Sequence, residues 1–466
     1  MRFAYWMLAA VFSVLVQSVP GAESSAARPA NVIVVLADDL GAKELACYGN
    51  KGHRTPHLDR LASEGVRFET AYATPLCSPT RVALMTGQYA FRTGWYNLIG
   101  RPLSPKPESP AHDIGAKHTF GKMMKSRGYA TALAGKWQLS GEQPTLIREC
   151  GFDEYLMWAY THNLPEGVTH AGGFEDKKGS KTSRYWNPSL VKTGVYVPTR
   201  ADDYGPDVMN AFVIDFIQRH KEGPFFVYYP SLLTHSPHDA TPDPEVAGGK
   251  WPKGFKSNLE YLDHLMGRLI AEVDRLGLRE NTWIFFVGDN GTGGSGKGTI
   301  TELGARVPFI VRGPGVKAGL VSRALTDITD IYATLAAISG AAVPESHVLD
   351  GKNLLPVLKG ETEKHRDWIF SYLEHGRILR DGRWLLESPG KGKPDRLYDC
   401  GDSRDGTGYV LMDPAAGGEA GTARDRFAAL LEKLPGPDSF PDLRLQGGGN
   451  NGSDGVKKKK KTTEEE

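Results

Sequence analysis

Residues 31–41 read NVIVVLADDLG. A continuous β-branched run with no polar alternation is what a strand needs when both of its faces are buried, as in a parallel sheet covered by helices. Residues 224–230 (PFFVYYP), 282–288 (TWIFFVG) and 307–311 (VPFIV) share that texture. Between them, Leu259, Leu262, Leu265, Met266, Leu269, Ile270 and Val273 recur at spacings of three and four, an apolar helical stripe. Residues 118–125 and 208–218 are patterned alike. Strands alternating with helices predict an α/β fold, a large mostly parallel sheet sandwiched by helices. Sites in such sheets form at the carboxyl ends of strands.

Beyond about residue 350 the texture changes. Short aromatic strand candidates at 368–372, 377–380, 384–387 and 396–398, then a helix at 422–434, predict a smaller C-terminal antiparallel α+β subdomain. Residues 160–203 show little periodicity and read as a long loop that rims a site. The chain has 466 residues, enough for a large core with a smaller companion. Its 56 Lys+Arg against 55 Asp+Glu give a net charge of +1, no general field for gripping nucleic acid. Four cysteines are too few for a disulfide scaffold.

The ends read as processing and tail segments. Arg2, an apolar core at residues 4–16 and small residues around Ala22 and Ala26 make residues 1–27 a secretory signal peptide. That core falls short of the roughly 20 residues a spanning helix needs. The mature protein is therefore expected to be exported, periplasmic or extracellular, with no stable membrane insertion. Residues 28–350 then form the main domain and 351–445 the subdomain. Residues 446–466, ending KKKKKTTEEE, form a disordered charged tail.

Asp38 and Asp39 end the first strand, where paired carboxylates suit a hard cation, although Asp also serves at helix caps and turns. Cys77-Ser78-Pro79-Thr80-Arg81 precedes a helical stretch. A cysteine there would be activated by dipole and cation; a buried structural thiol is the other reading. Residues 291–298 (GTGGSGKG) nearly spell a phosphate-binding P-loop, but Gly298 stands where the Mg²⁺-holding Ser or Thr belongs. The following helix is interrupted by Gly304 and Pro308, so a nucleotide site is not expected.

CSPTRVALMTG at residues 77–87 resembles the sulfatase signature C-x-P-x-R followed by L-x-T-G. ADDLGAKELACYGN, GYATALAGKW, PFFVYYPSLLTHSPH, VGDNG and GKGTITELGARVPFIVRGPG are similar to family blocks in family order. The resemblance implies an alkaline-phosphatase-like fold and an exported sulfate ester hydrolase, with a sulfated carbohydrate as the expected substrate. It also implies formylglycine made from Cys77 by a formylglycine-generating enzyme during maturation. Asp289 and Asn290 then complete a hard-oxygen Ca²⁺ site with Asp38, Asp39 and the modified Cys77. The same resemblance gives Arg81, Lys136, His235, Asp289 and Lys297 catalytic roles, with Gln138 and His238 towards substrate.

One position departs from the family. Gln138 stands where a His commonly follows Lys-Trp, and Gln can hydrogen-bond but cannot titrate. Two other readings stay open: a phosphate or phosphonate ester hydrolase on the same fold, and a non-catalytic sulfated-glycan-binding homologue.

Overall fold

The strand Asn31–Ala37 lies in the middle of a ten-stranded sheet and is buried along its whole length. The structure is a computed structural model and describes residues 28–139, 145–159 and 184–445. Alternate residues of that strand feed two different cores. Val32, Val34 and Leu36 pack on one face with Val82, Met123, Ile331 and Leu335. Ile33, Val35 and Ala37 pack on the other with Leu58, Met209, Leu259 and Met266. That is why the run shows no polar alternation: neither face meets water.

Helices Cys77–Thr86, Phe120–Ser126 and Asp330–Ser339 cover the first face. Helices Pro56–Ser63, Gly205–His220 and Phe255–Arg275 cover the second. The apolar stripe read from Leu259 to Val273 is the buried side of the last of these. Thr119 caps the helix predicted at 118–125 through its side chain, so that helix begins at Phe120.

Four parallel neighbours form the heart of the sheet, in the order Thr282–Gly288, Asn31–Ala37, Phe225–Pro230 and Ala130–Gly135, and Glu154–Trp158 extends the parallel run beside the last. Outside them the sheet is mixed. Phe309–Arg312 runs antiparallel to Thr282–Gly288, and Val66–Phe68 runs antiparallel to it in turn. The run read as one strand at 307–311 is divided at Pro308. Arg306–Val307 joins a separate three-stranded sheet, and Phe309–Arg312 joins the large one. Proline lacks the N–H that a continuous ladder needs, so the chain changes sheets there. Within the stretch read as a loop, Leu190–Lys192 and Val195–Val197 form a short hairpin at the sheet edge; residues 160–183 lie outside the described residues.

The C-terminal strands form a five-stranded antiparallel sheet: Trp368–Leu373, Gly376–Asp381, Trp384–Ser388, Arg396–Asp399 and Val410–Leu411. Helix Gly418–Leu431 packs on one face through Ala420, Ala423 and Phe427, starting and ending a few residues earlier than the expected 422–434. The other face meets the main body, where Ile369, Ile378 and Leu385 touch Tyr72, Ala305 and Leu325. Arg380 is fully buried at that seam. Its Nη1 donates to Glu302 Oε1 at 3.1 Å and to the Tyr409 hydroxyl at 2.7 Å, while Tyr72 donates to the same Glu302 oxygen at 2.7 Å. No helix among the described residues is long and apolar enough to cross a membrane. The signal segment and the charged tail lie outside the described residues.

Arg380→Met would leave Glu302 charged and buried without its cation. We expect a loss of about 3–5 kcal/mol, the usual result of removing one partner of a buried pair. Thermal unfolding should show a clear fall in Tm, and limited proteolysis should release the C-terminal sheet earlier.

Candidate active site

The carboxyl ends of the four central parallel strands deliver the site. Asp38 and Asp39 follow Asn31–Ala37, and Asp289 and Asn290 follow Thr282–Gly288. Lys136 follows Ala130–Gly135, and His235 stands in the turn after Phe225–Pro230. Helix Cys77–Thr86 brings Cys77 and Arg81 over this edge. Each of these side chains is almost wholly inaccessible to solvent.

Asp38, Asp39, Cys77 and Asp289 each present a ligand-type atom, and these atoms all lie within 4.8 Å of one another. Asp39 takes a left-handed backbone, φ +59°, and its N–H donates to Asp289 Oδ1 at 2.9 Å across 250 positions of sequence. Three cations meet three carboxylates. Arg81 Nη2 lies 2.9 Å from Asp289 Oδ2, Lys136 Nζ 2.8 Å from Asp38 Oδ2, and Lys297 Nζ 2.9 Å from Asp39 Oδ2. Arg81 Nη1 also donates to the Lys136 carbonyl at 2.8 Å, so the arginine fixes the backbone that carries the lysine.

Charge and burial set the protonation states. Burial alone would raise the Asp38 carboxyl, but Lys136, His235, Arg81 and Lys297 together hold it well below the usual carboxylate range. Burial and the charge of Asp38 push Asp289 up, against the pull of Arg81. Burial, then Asp289, push the Cys77 thiol well above its ordinary range despite Lys136 and Lys297. The helix start and Arg81 therefore do not make Cys77 a reactive thiolate: Arg81 is committed to Asp289. Cys77 Sγ lies 3.7 Å from Asp38 Oδ1 and 3.7 Å from Lys136 Nζ. The other cysteines, Cys47, Cys150 and Cys400, are free as well.

The donor set fits a hard cation. Besides the three carboxylates, Asn290 Oδ1 is buried and has no hydrogen-bond partner among the described residues. Its amide nitrogen is held by Asp39 Oδ1 and the Gly291 carbonyl, both at 2.9 Å, which leaves the oxygen as the group to be used. An orphaned buried oxygen beside three carboxylates is what oxygen ligation of a divalent ion would satisfy.

His235 Nε2 lies 3.1 Å from Lys297 Nζ and 3.8 Å from Asp39 Oδ2. Its Nδ1 faces both the Ser236 carbonyl at 2.5 Å and Arg184 Nη1 at 2.7 Å. A carbonyl calls for a proton on Nδ1 and a guanidinium for a lone pair, so these two neighbours govern the tautomer. Arg184 itself stacks over Trp158, 4.3 Å from the ring centre. The sequence reading missed Arg184, and nothing in the aperiodic stretch around it marks it out. His238 stands behind His235, its Nε2 3.1 Å from the Thr234 carbonyl and its ring edge-on to Phe255. Gln138 has φ +49°, receives the Ser78 hydroxyl on its carbonyl at 3.1 Å, and buries an Oε1 with no partner among the described residues. The Gly291–Gly298 turn is followed only by the four-residue helix Glu302–Ala305.

The sulfatase family profile matches residues 30–341. The chain belongs to the sulfatase family. It is an enzyme of the sulfuric ester hydrolase class. Mus musculus steryl-sulfatase is 30% identical over 461 residues, covering 81% of this chain and 72% of its own. Homo sapiens arylsulfatase A is 33% identical over 373 residues, with coverages of 74% and 71%. Canis lupus familiaris N-acetylgalactosamine-6-sulfatase is 32% identical over 368 residues, with 72% and 67%. Among solved structures, Ps i-CgsB shares the fold at TM-score 0.72 and 24% identity, covering 90% of this chain and 95% of that one. The same protein in complex with k-i-k-neocarrahexaose gives 0.69 at 23% identity, with 90% and 94%. A phosphonate monoester hydrolase from Silicibacter pomeroyi gives 0.61 at 20% identity, with 87% and 95%. The sulfatase fold is the alkaline-phosphatase-like one.

Gly135 holds the sheet edge in place. Its φ is +129°, and a Cβ there would lie 1.9 Å from the Pro230 carbonyl oxygen, the atom that accepts the Lys136 N–H at 2.8 Å. Gly135→Ala is therefore expected to displace Lys136 and cut sulfate ester turnover at least about tenfold, ~1.4 kcal/mol in the barrier. Gly128→Ala, at φ +79° with open space around it, should cost only ~1–2 kcal/mol of stability and keep its activity. Tm and steady-state rates for the two variants check this.

Proposed function

We propose that the chain hydrolyses a sulfate ester of a sulfated carbohydrate, using formylglycine made from Cys77 and a bound Ca²⁺. The observation that carries the reading is a buried thiol of raised pKa set among three carboxylates and three cations. As a thiol it is a poor nucleophile, and a formylglycine-generating enzyme acting before folding would replace it with a competent group. Asp38, Asp39, Asp289, Asn290 and the modified side chain would hold the Ca²⁺. The metal would supply Lewis acidity at a sulfate oxygen, and the hydrated aldehyde a hydroxyl nucleophile.

The remaining roles belong to side chains whose geometry is given above. Asp289, pushed up by burial and by Asp38, is the proton acceptor for the attacking hydroxyl. Arg81 holds Asp289 Oδ2 and the Lys136 carbonyl in register. Lys136 and Lys297 place positive charge where the transferring group gains negative charge. His235 is the proton donor to the leaving alcohol, with Arg184 and Ser236 orienting its ring. Gln138 can hydrogen-bond substrate without exchanging a proton.

The substrate class is supported by relatives named for N-acetylgalactosamine-6-sulfate and by the fold neighbour solved with a neocarrahexaose. Export to the periplasm or the outside, proposed from residues 1–27, places the enzyme where such glycans are met. The fold neighbour named as a phosphonate monoester hydrolase keeps phosphorus esters as the second reading.

Three measurements test the proposal. Peptide mass spectrometry of active protein should show the Cys77 peptide carrying an aldehyde; an unmodified thiol in fully active protein excludes the mechanism. Sulfate release should exceed phosphate and phosphonate ester turnover in the same preparation, and the opposite order favours the second reading. Chelation should abolish turnover and Ca²⁺ restore it, with Asn290→Ala needing more Ca²⁺ for the same rate.

A further inference from the structure

A cleft of about 610 Å³ opens directly after Lys297 in sequence, between residues 298–301 and the hairpins of the five-stranded sheet. One wall begins at Gly298, whose N–H donates to the Pro75 carbonyl at 2.8 Å, just before Cys77 in sequence. The opposite wall is the turn at Glu374 and His375. It is tied to the segment after the Cys77 helix, since the Glu374 N–H donates to the Tyr96 carbonyl at 2.8 Å and Asn97 Nδ2 donates to Glu374 Oε1 at 2.9 Å. Both walls are therefore tied to the segments that flank the Cys77 helix.

The lining is cationic. Lys391 and Lys393 stand on the hairpin loop between Trp384–Ser388 and Arg396–Asp399, both exposed, with no ion-pair partner among the described residues. The loop is pinned to the cleft at Gly390, φ +71°, where a Cβ would lie 2.8 Å from the His375 carbonyl oxygen. Arg396 is neutralised by Glu387 at 2.9 Å, yet its Nε is buried without a partner among the described residues. His375 Nε2 pairs with Asp438 at 3.0 Å, and its buried Nδ1 has no partner among the described residues. Glu374 is the single carboxylate of the lining, and Asn97 occupies one of its oxygens.

We propose that this cleft is a second anion subsite, which receives another sulfate group of the same glycan while the first lies at Cys77. The enzyme then acts on multiply sulfated oligosaccharides in preference to a singly sulfated sugar. This rests on the sulfated-carbohydrate reading above. Two uncompensated ammonium groups attract an anion at the cleft mouth, and the unpartnered N–H of Arg396 offers it a hydrogen bond.

The test is calorimetric titration of the full chain and of its Lys391→Ala/Lys393→Ala variant at low ionic strength. The probes are a heparin-derived hexasaccharide and a hyaluronan hexasaccharide, which carries carboxylates and no sulfate. The variant should bind the heparin hexasaccharide about tenfold more weakly, with a smaller difference at high salt, and the hyaluronan hexasaccharide as wild type does. Equal heparin binding by the two proteins overturns the subsite, and so does an equal loss on hyaluronan. Hydrolysis of 4-nitrocatechol sulfate should be the same in both proteins. A wild type that releases no sulfate from any ester overturns the hydrolase reading, while the binding arm still decides the cleft.

Discussion

Three carboxylates cannot share a dry interior uncompensated. Asp38, Asp39 and Asp289 are each nearly inaccessible, and an isolated buried ion costs several kcal/mol even after the protein relaxes. The fold meets this with one cation for each: Lys136 for Asp38, Lys297 for Asp39 and Arg81 for Asp289. The partners come from distant segments, so the pairing ties together parts of the chain from the first strand to the loop after Thr282–Gly288. Burial, and then the charge of Asp289, keeps the Cys77 thiol protonated although Lys136 and Lys297 pull the other way.

Parallel pairing is what makes this convergence possible. Neighbouring strands lie about 4.8 Å apart, and only parallel neighbours bring their carboxyl ends to the same edge. Thr282–Gly288, Asn31–Ala37, Phe225–Pro230 and Ala130–Gly135 do so, and each is followed by site residues. The antiparallel Phe309–Arg312 sits next to Thr282–Gly288, yet its carboxyl end faces the other edge and contributes none of them. The five-stranded sheet is equally committed to the site. Its first hairpin holds Tyr96 and Asn97, and Ser78, next to Cys77, accepts the N–H of Ile99 at 3.3 Å.

The central strands were legible because residues of one character had to fill two cores at once, which leaves a continuous apolar run. Asp38 and Asp39 were legible because they interrupt such a run at its carboxyl end. The division at Pro308 was visible as a proline but not as a change of sheet, since local pattern does not say which partner a strand will find. Arg184 and the Lys391–Lys393 loop left no mark for a different reason. Their surroundings come from the packing of segments far apart in sequence, and an arginine in an aperiodic stretch or lysines in a Gly-Pro turn look like ordinary solvated residues.

Charge accounting connects the cluster to the cleft. Without a metal the three carboxylates and three cations balance, so a divalent ion held by the carboxylates and Asn290 would leave the site with two positive charges in excess. A sulfate monoester brings one negative charge, and a phosphate monoester dianion brings two. Charge at the site therefore does not by itself select sulfate; under the proposed mechanism that selection falls to the chemistry proposed at Cys77 and His235. What the excess does favour is further negative charge on the same substrate. Arg184 beside His235, and Lys391 and Lys393 at the cleft, add to that positive charge rather than relieve it. A glycan with several sulfates suits that field better than a lone sulfate ester does.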